Sequence, residues 1–60
     1  MNERLPRDPV MLLSVVNARL RDYYDSLEDF CKAEDVEESW VVNTISPINY
    51  FYNPSSNQFE

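Results

Sequence analysis

Residues 8–24 read DPVMLLSVVNARLRDYY, and this stretch decides the fold. Aspartate followed by proline is a helix start. The carboxylate can accept from the free N–H groups of the first turn, and Pro9 suits the first helical position because its missing N–H loses no partner there. At about 100° per residue, Leu12, Leu13, Val16, Leu20, Tyr23 and Tyr24 share one broad face, which predicts a helix running to about Tyr23 or Tyr24 with that face in a core. Ser14, Asn17 and Arg21 fall on a wet face. Met11, Val15 and Ala18 make a third, separate stripe at spacings of four and three. A surface helix of a monomer does not ordinarily carry a second apolar stripe. Either the stripe packs beneath the C-terminal segment of the same chain, or it is the seam of a homodimer, for which a two-fold interface needs only one patch.

Downstream, Ser26-Leu27-Glu28-Asp29 resembles a capping box with aspartate in the third position, so a second, short helix is expected to start there and end near Glu34-Asp35. Its inward residues are Leu27, Phe30 and Cys31. The chain contains no glycine, so the turn must use an ordinary residue, and Asp35 tolerates a left-handed conformation best. A third helix is expected from Val36 or Glu37 to Ile45, burying Val36, Val41 and Ile45 and part of Val42. Pro47 disfavours helical geometry at Ser46 and stops it. In the tail, Ile48, Tyr50 and Tyr52 alternate with Asn49, Phe51 and Asn53, a strand periodicity. Asn53-Pro54-Ser55-Ser56 is turn chemistry, and Gln58-Phe59 can return as a partner strand. The expected architecture is mainly α: a polar arm over 1–7, a three-helix, helix-turn-helix-like domain over 8–46, and a C-terminal β-hairpin or extended aromatic tail over 47–60.

A domain of 60 residues buries a modest core and leans on a disulfide, a metal or a second chain. Cys31 is the single cysteine and there is no histidine, so neither an internal disulfide nor a cysteine–histidine zinc site can form. Oligomerisation remains as the supplement. Eleven acidic residues against five basic ones give a net charge of −6, a field that repels nucleic acid and anionic membranes. No apolar run approaches a membrane span. Residues 10–16 are apolar but follow Asp8-Pro9 and a charge-balanced segment, unlike a signal peptide. With a lone cysteine, these features point to the cytoplasm.

Across residues 5–14, with Asn17, Leu20-Arg21-Asp22, Tyr24, Ser26-Leu27, Asn53-Pro54 and Asn57-Gln58-Phe59, the chain resembles domain-of-unknown-function family 4250, a group of small bacterial proteins. The resemblance runs nearly the full length and implies no biochemical activity, cofactor or substrate.

Several constellations invite a function. The second and third helices are spaced like a helix-turn-helix, with Cys31 at the small-residue position, Asp35 at the turn, Val36 after it and Val41 five further on. Helix three would lead with Glu37, Glu38, Ser39 and Trp40, where a reader of the groove needs arginine, lysine, asparagine or glutamine. DNA binding is therefore the alternative, not the first reading. Arg4, Arg7, Arg19 and Arg21 could converge as a basic patch, or pair with neighbouring carboxylates. Glu34, Asp35, Glu37 and Glu38 cluster, but lack the calcium-loop pattern and suit a solvated helix start. With no histidine base and no phosphate loop, no enzyme is expected, and no cofactor or metal. Trp40 and Phe51 are rigid aromatics of the kind that anchor an interface if they face outward. The expected function is a small acidic protein-interaction module, paired with itself and possibly with another protein, whose candidate interface residues are Met11, Val15, Ala18, Trp40 and Phe51.

Overall fold

The computed structural model describes residues 5–60. Three helices, α1 (Pro9–Asp22), α2 (Leu27–Glu34) and α3 (Glu38–Ile45), are followed by a 3-10 turn over Ser46–Ile48 and by strands β1 (Tyr52–Asn53) and β2 (Gln58–Phe59). The strands pair antiparallel, with Tyr52 opposite Phe59 and Asn53 opposite Gln58. The mainly α class, the three helices and the C-terminal hairpin all match the sequence expectation.

The helix boundaries follow local chemistry. Asp8 accepts from the Met11 N–H at 3.0 Å and caps α1. Ser26 accepts from the Asp29 N–H at 3.1 Å and caps α2. Asp35 closes α2 in the left-handed region, at φ 58° and ψ 46°. Its N–H reaches the Lys32 carbonyl at 3.3 Å and the Val36 N–H reaches the Cys31 carbonyl at 3.0 Å. That pair of bonds is the Schellman arrangement, with aspartate where glycine is usual.

One core holds the domain. Leu12, Val16 and Leu20 from α1 meet Leu27, Phe30 and Cys31 from α2, Val41 and Ile45 from α3, and Phe59 from β2. Tyr24 closes one side, its ring edge-on to Phe30 at 5.7 Å. Val42 is half-buried against this core, as expected; Val36, expected to be buried, is only half-buried where the chain enters α3, and so is Leu13 on α1.

The sequence reading is corrected at four further places. Leu5, placed in a polar arm, is buried in the core; residues 1–4 of that arm lie outside the described residues. Tyr23 is 75% exposed, because α1 ends at Asp22 and the chain leaves the helix at Tyr23 with φ −130°. The strand alternation over 48–53 holds only at its end. Pro47 extends the helical path through a 3-10 turn, and Asn49 then takes a left-handed conformation at φ 67°, so pairing starts at Tyr52. Asn17, assigned to the wet face, is instead half-buried and holds the hairpin.

Candidate functional site

Asn17 stands on α1 beside the core stripe. Its Oδ1 accepts from the Phe59 N–H at 2.8 Å, and its Nδ2 donates to the Phe59 carbonyl at 3.1 Å. The side-chain amide thus pairs with the outer edge of β2 as a neighbouring strand would. Gln58 Nε2 adds a bond to the Asn17 carbonyl at 3.0 Å. At the other end of the hairpin Asn57 is left-handed, at φ 57°. Its Nδ2 donates to the carbonyls of Leu20, in the last turn of α1, and Tyr24, just beyond it, and its Oδ1 accepts from the Tyr52 hydroxyl at 2.7 Å. The Tyr52 oxygen in turn accepts from the Leu27 N–H at 3.2 Å, in the first turn of α2. This network is structural: each contact ties the hairpin to a helix end or a helix face.

The hairpin is held on the Asn17 side of α1, and of the Met11–Val15–Ala18 stripe Met11 is left exposed. About 100° per residue turns Met11 away from the Leu13–Asn17 side, while Ala18 lines an open cleft with Leu13, Ser14, Asn17, Arg21 and Tyr50. Met11 is 60% exposed and Ala18 half-buried, while Val15 is half-buried against the core. Val10, also 60% exposed, borders the same outward face together with exposed Ser14. Charges sit at both ends of that face. Arg7 and Asp8 lie exposed at the start of α1, and Arg21 and Asp22 at its end. Arg21 Nε and Nη2 donate to the two Asp22 oxygens at 3.0 and 3.1 Å. This bond, more than the charge alone, holds the Asp22 carboxyl below the ordinary carboxylate range.

Trp40 and Phe51 are 37% and 55% exposed, on α3 and at the base of the hairpin. They therefore lie on different elements from the α1 face, and the ring pairs among the described residues are Tyr24–Phe30 and Tyr52–Phe59. Phe51 is fixed through its backbone, which exchanges two bonds with Glu60 at 3.0 and 2.9 Å.

An open cleft at the α2–α3 turn is lined by Glu28, Cys31, Lys32, Asp35, Val36, Glu37 and Glu38. Burial, and secondarily the nearby Glu38 charge, push the Cys31 thiol up to about 11. A thiol held protonated in this way is a packing group rather than a nucleophile. Among the described residues no group of three or more carboxylates or cysteines is placed to hold a metal ion, and no helix is long and apolar enough to cross a membrane. Of the arginines weighed as a basic patch, Arg19 pairs with Glu34 at 3.0 Å and Arg21 with Asp22; Arg4 lies outside the described residues.

No curated protein and no solved structure matches the chain. A family model described as Domain of unknown function (DUF4250) matches residues 6–59. The match spans all three helices and the hairpin, and the chain belongs to this family.

Proposed function

We propose that the protein is a small acidic protein-interaction module that pairs with itself through the outward face of α1. The observation that carries this reading is Met11 at 60% exposure next to equally exposed Val10, on a helix whose opposite side is packed in the core. A domain this short benefits from burying such a face, because its own core is small. The original stripe is adjusted in one respect. Val15 leans into the core, so Met11 and Ala18, flanked by Val10 and Ser14, form the contact. Trp40 and Phe51 supply a separate surface for a different protein, since exposed rigid aromatics lose little freedom on binding. A lone, buried cysteine suits the reducing cytoplasm, where we place the protein.

The test is solution mass by light scattering across a concentration series, on the native chain and on Met11→Glu. A native dimer that becomes a folded monomer in the variant supports the reading. A native monomer at every concentration removes self-pairing and leaves Trp40 and Phe51 to be probed by alanine substitution. DNA binding, the alternative, draws on the α2–turn–α3 spacing and the left-handed Asp35. Glu37 and Glu38 stand exposed at the leading end of α3, where they oppose phosphate. Mobility of a duplex unchanged by micromolar protein at low salt disposes of that alternative.

A further inference from the structure

The outward face of α1 is patterned along its length as well as across it. Taken in order along the Met11 side, its positions run exposed Arg7, Asp8, Met11 and Ser14, half-buried Ala18, and exposed Arg21 and Asp22, with exposed Val10 at the border. Spacings of three and four keep Met11, Ser14, Ala18, Arg21 and Asp22 on one side of α1, and Arg7 and Asp8 stand just ahead of its first turn. The ends carry the same two charges in the same order: plus then minus at the start, plus then minus at the end. The middle carries one large apolar side chain, Met11, and one small one, Ala18.

Antiparallel pairing with a second copy makes all of these complementary in a single register. A two-fold axis between Ser14 and Val15 sets Met11 opposite the second copy's Ala18, large against small. The same axis sets Arg7 opposite its Asp22 and Asp8 opposite its Arg21. No second adjustment is needed, since the three pairs are symmetric about one point in the sequence. Parallel pairing does the reverse, placing Arg7 against Arg7, Asp22 against Asp22 and Met11 against Met11. We propose that the occupant of this face is a second copy of the chain, docked antiparallel in this register.

Two details support the charge pattern. Arg21 and Asp22 are already joined within the chain by two hydrogen bonds. Adding Arg7 and Asp8 of the second copy extends that pair into a row of four alternating charges at each end of the seam. Asp8 spends one oxygen, Oδ2, on the Met11 N–H of its cap and is itself exposed, so its second oxygen remains for the second copy's Arg21. Such exposed pairs add little affinity singly, yet like charges in their place repel, so they choose orientation and register. The inference rests on the self-pairing reading and adds to it the orientation and the partner contacts.

The experiment is a charge swap, using the exposed variants Arg7→Glu and Asp22→Lys, with circular dichroism confirming that each remains helical. Each variant alone turns two pairs repulsive by symmetry, and its dimer is expected to weaken about tenfold or more, measured by analytical ultracentrifugation. Mixed in equal amounts, the two form a heterodimer in which both pairs are attractive again, and the dissociation constant returns to near the native value. Tighter self-association of Arg7→Glu, through relief of a like-charge contact, overturns the antiparallel docking. A native dimer indifferent to both variants overturns the register while leaving self-pairing intact. A native chain that is monomeric throughout overturns both.

Discussion

Replacing Asn17 by alanine tests whether the hairpin is held by one side-chain amide. The substitution removes both bonds to Phe59, at 2.8 and 3.1 Å, and leaves the N–H and carbonyl of that residue half-hidden between β2 and α1. An unpaired buried polar group costs about 1–3 kcal/mol, so the gross loss is about 2–6 kcal/mol. Water can reach the edge of the hairpin, which favours the low end. Alanine is also the better helix former, returning about 0.5 kcal/mol. The net expectation is about 2 kcal/mol, a large share of the roughly 3–9 kcal/mol available to a domain of this size. Thermal unfolding followed by circular dichroism should show a midpoint about 8–16 °C lower. The Gln58 bond to the Asn17 backbone survives the change and serves as an internal control. Asn17→Asp should do at least as badly at neutral pH, because it sets a carboxylate against the Phe59 carbonyl. A loss below about 0.5 kcal/mol in the alanine variant, with the Phe59 amide still exchanging slowly, would refute the strand-mimic account, since the two bonds would then carry less than a typical hydrogen bond.

The remaining expectations concern the left-handed residues, the tyrosine hydroxyl and the thiol. Asp35 and Asn57 share nearly the same positive φ, yet glycine should act oppositely at the two sites. Asp35→Gly relieves a backbone strain and should stabilise by about 0.5–1 kcal/mol in urea titration. Asn57→Gly relieves the same strain but deletes the bonds to Leu20, Tyr24 and Tyr52, so it should destabilise by about 2–3 kcal/mol. Tyr52→Phe should cost about 1–2 kcal/mol, because the Leu27 N–H and the Asn57 side-chain Oδ1 both lose their partner. Cys31 should be alkylated more slowly than a free thiol at pH 8, with a rate that climbs toward a midpoint near 11; an ordinary thiol profile in the folded chain would contradict its buried setting.

Much of this fold is legible in the sequence because its punctuation is local. Asp8-Pro9, Ser26 and Pro47 each act within a few residues, and the buried sets of α2 and α3 follow from helical periodicity alone. The exceptions depend on contacts across long stretches of chain. Asn17 meets Phe59 forty-two positions away, and nothing within a helical turn of it announces that bond. Leu5 is a single apolar residue in a polar segment, with no period to reveal it. Tyr23 falls on the inward side only if the helical period continues, and α1 ends one residue before it. In the candidate interface, Met11 and Ala18 could be placed on their own stripe from spacing. Val15 could not, because its lean toward the core depends on where α2 and α3 sit.

The distribution of duties around α1 explains why its outer face is the place to look for a partner. One side packs on α2 and α3 through Leu12, Val16 and Leu20, and the next holds the hairpin through Asn17. Arg19 reaches across to Glu34 of α2. Even the Leu20 carbonyl in the last turn of α1 is taken, by Asn57. What is left is one arc, and selection for solubility alone would fill it with charge. It carries Val10 and Met11 instead, bounded by charges only at its ends. Polar side chains from the tail already supply some of the stability that a small core lacks, so the domain has a rigid helix to present. A rigid helix with an apolar centre and paired charges at its two ends is suited to recognising another helix of the same pattern, and a second copy of this chain provides one in reverse order.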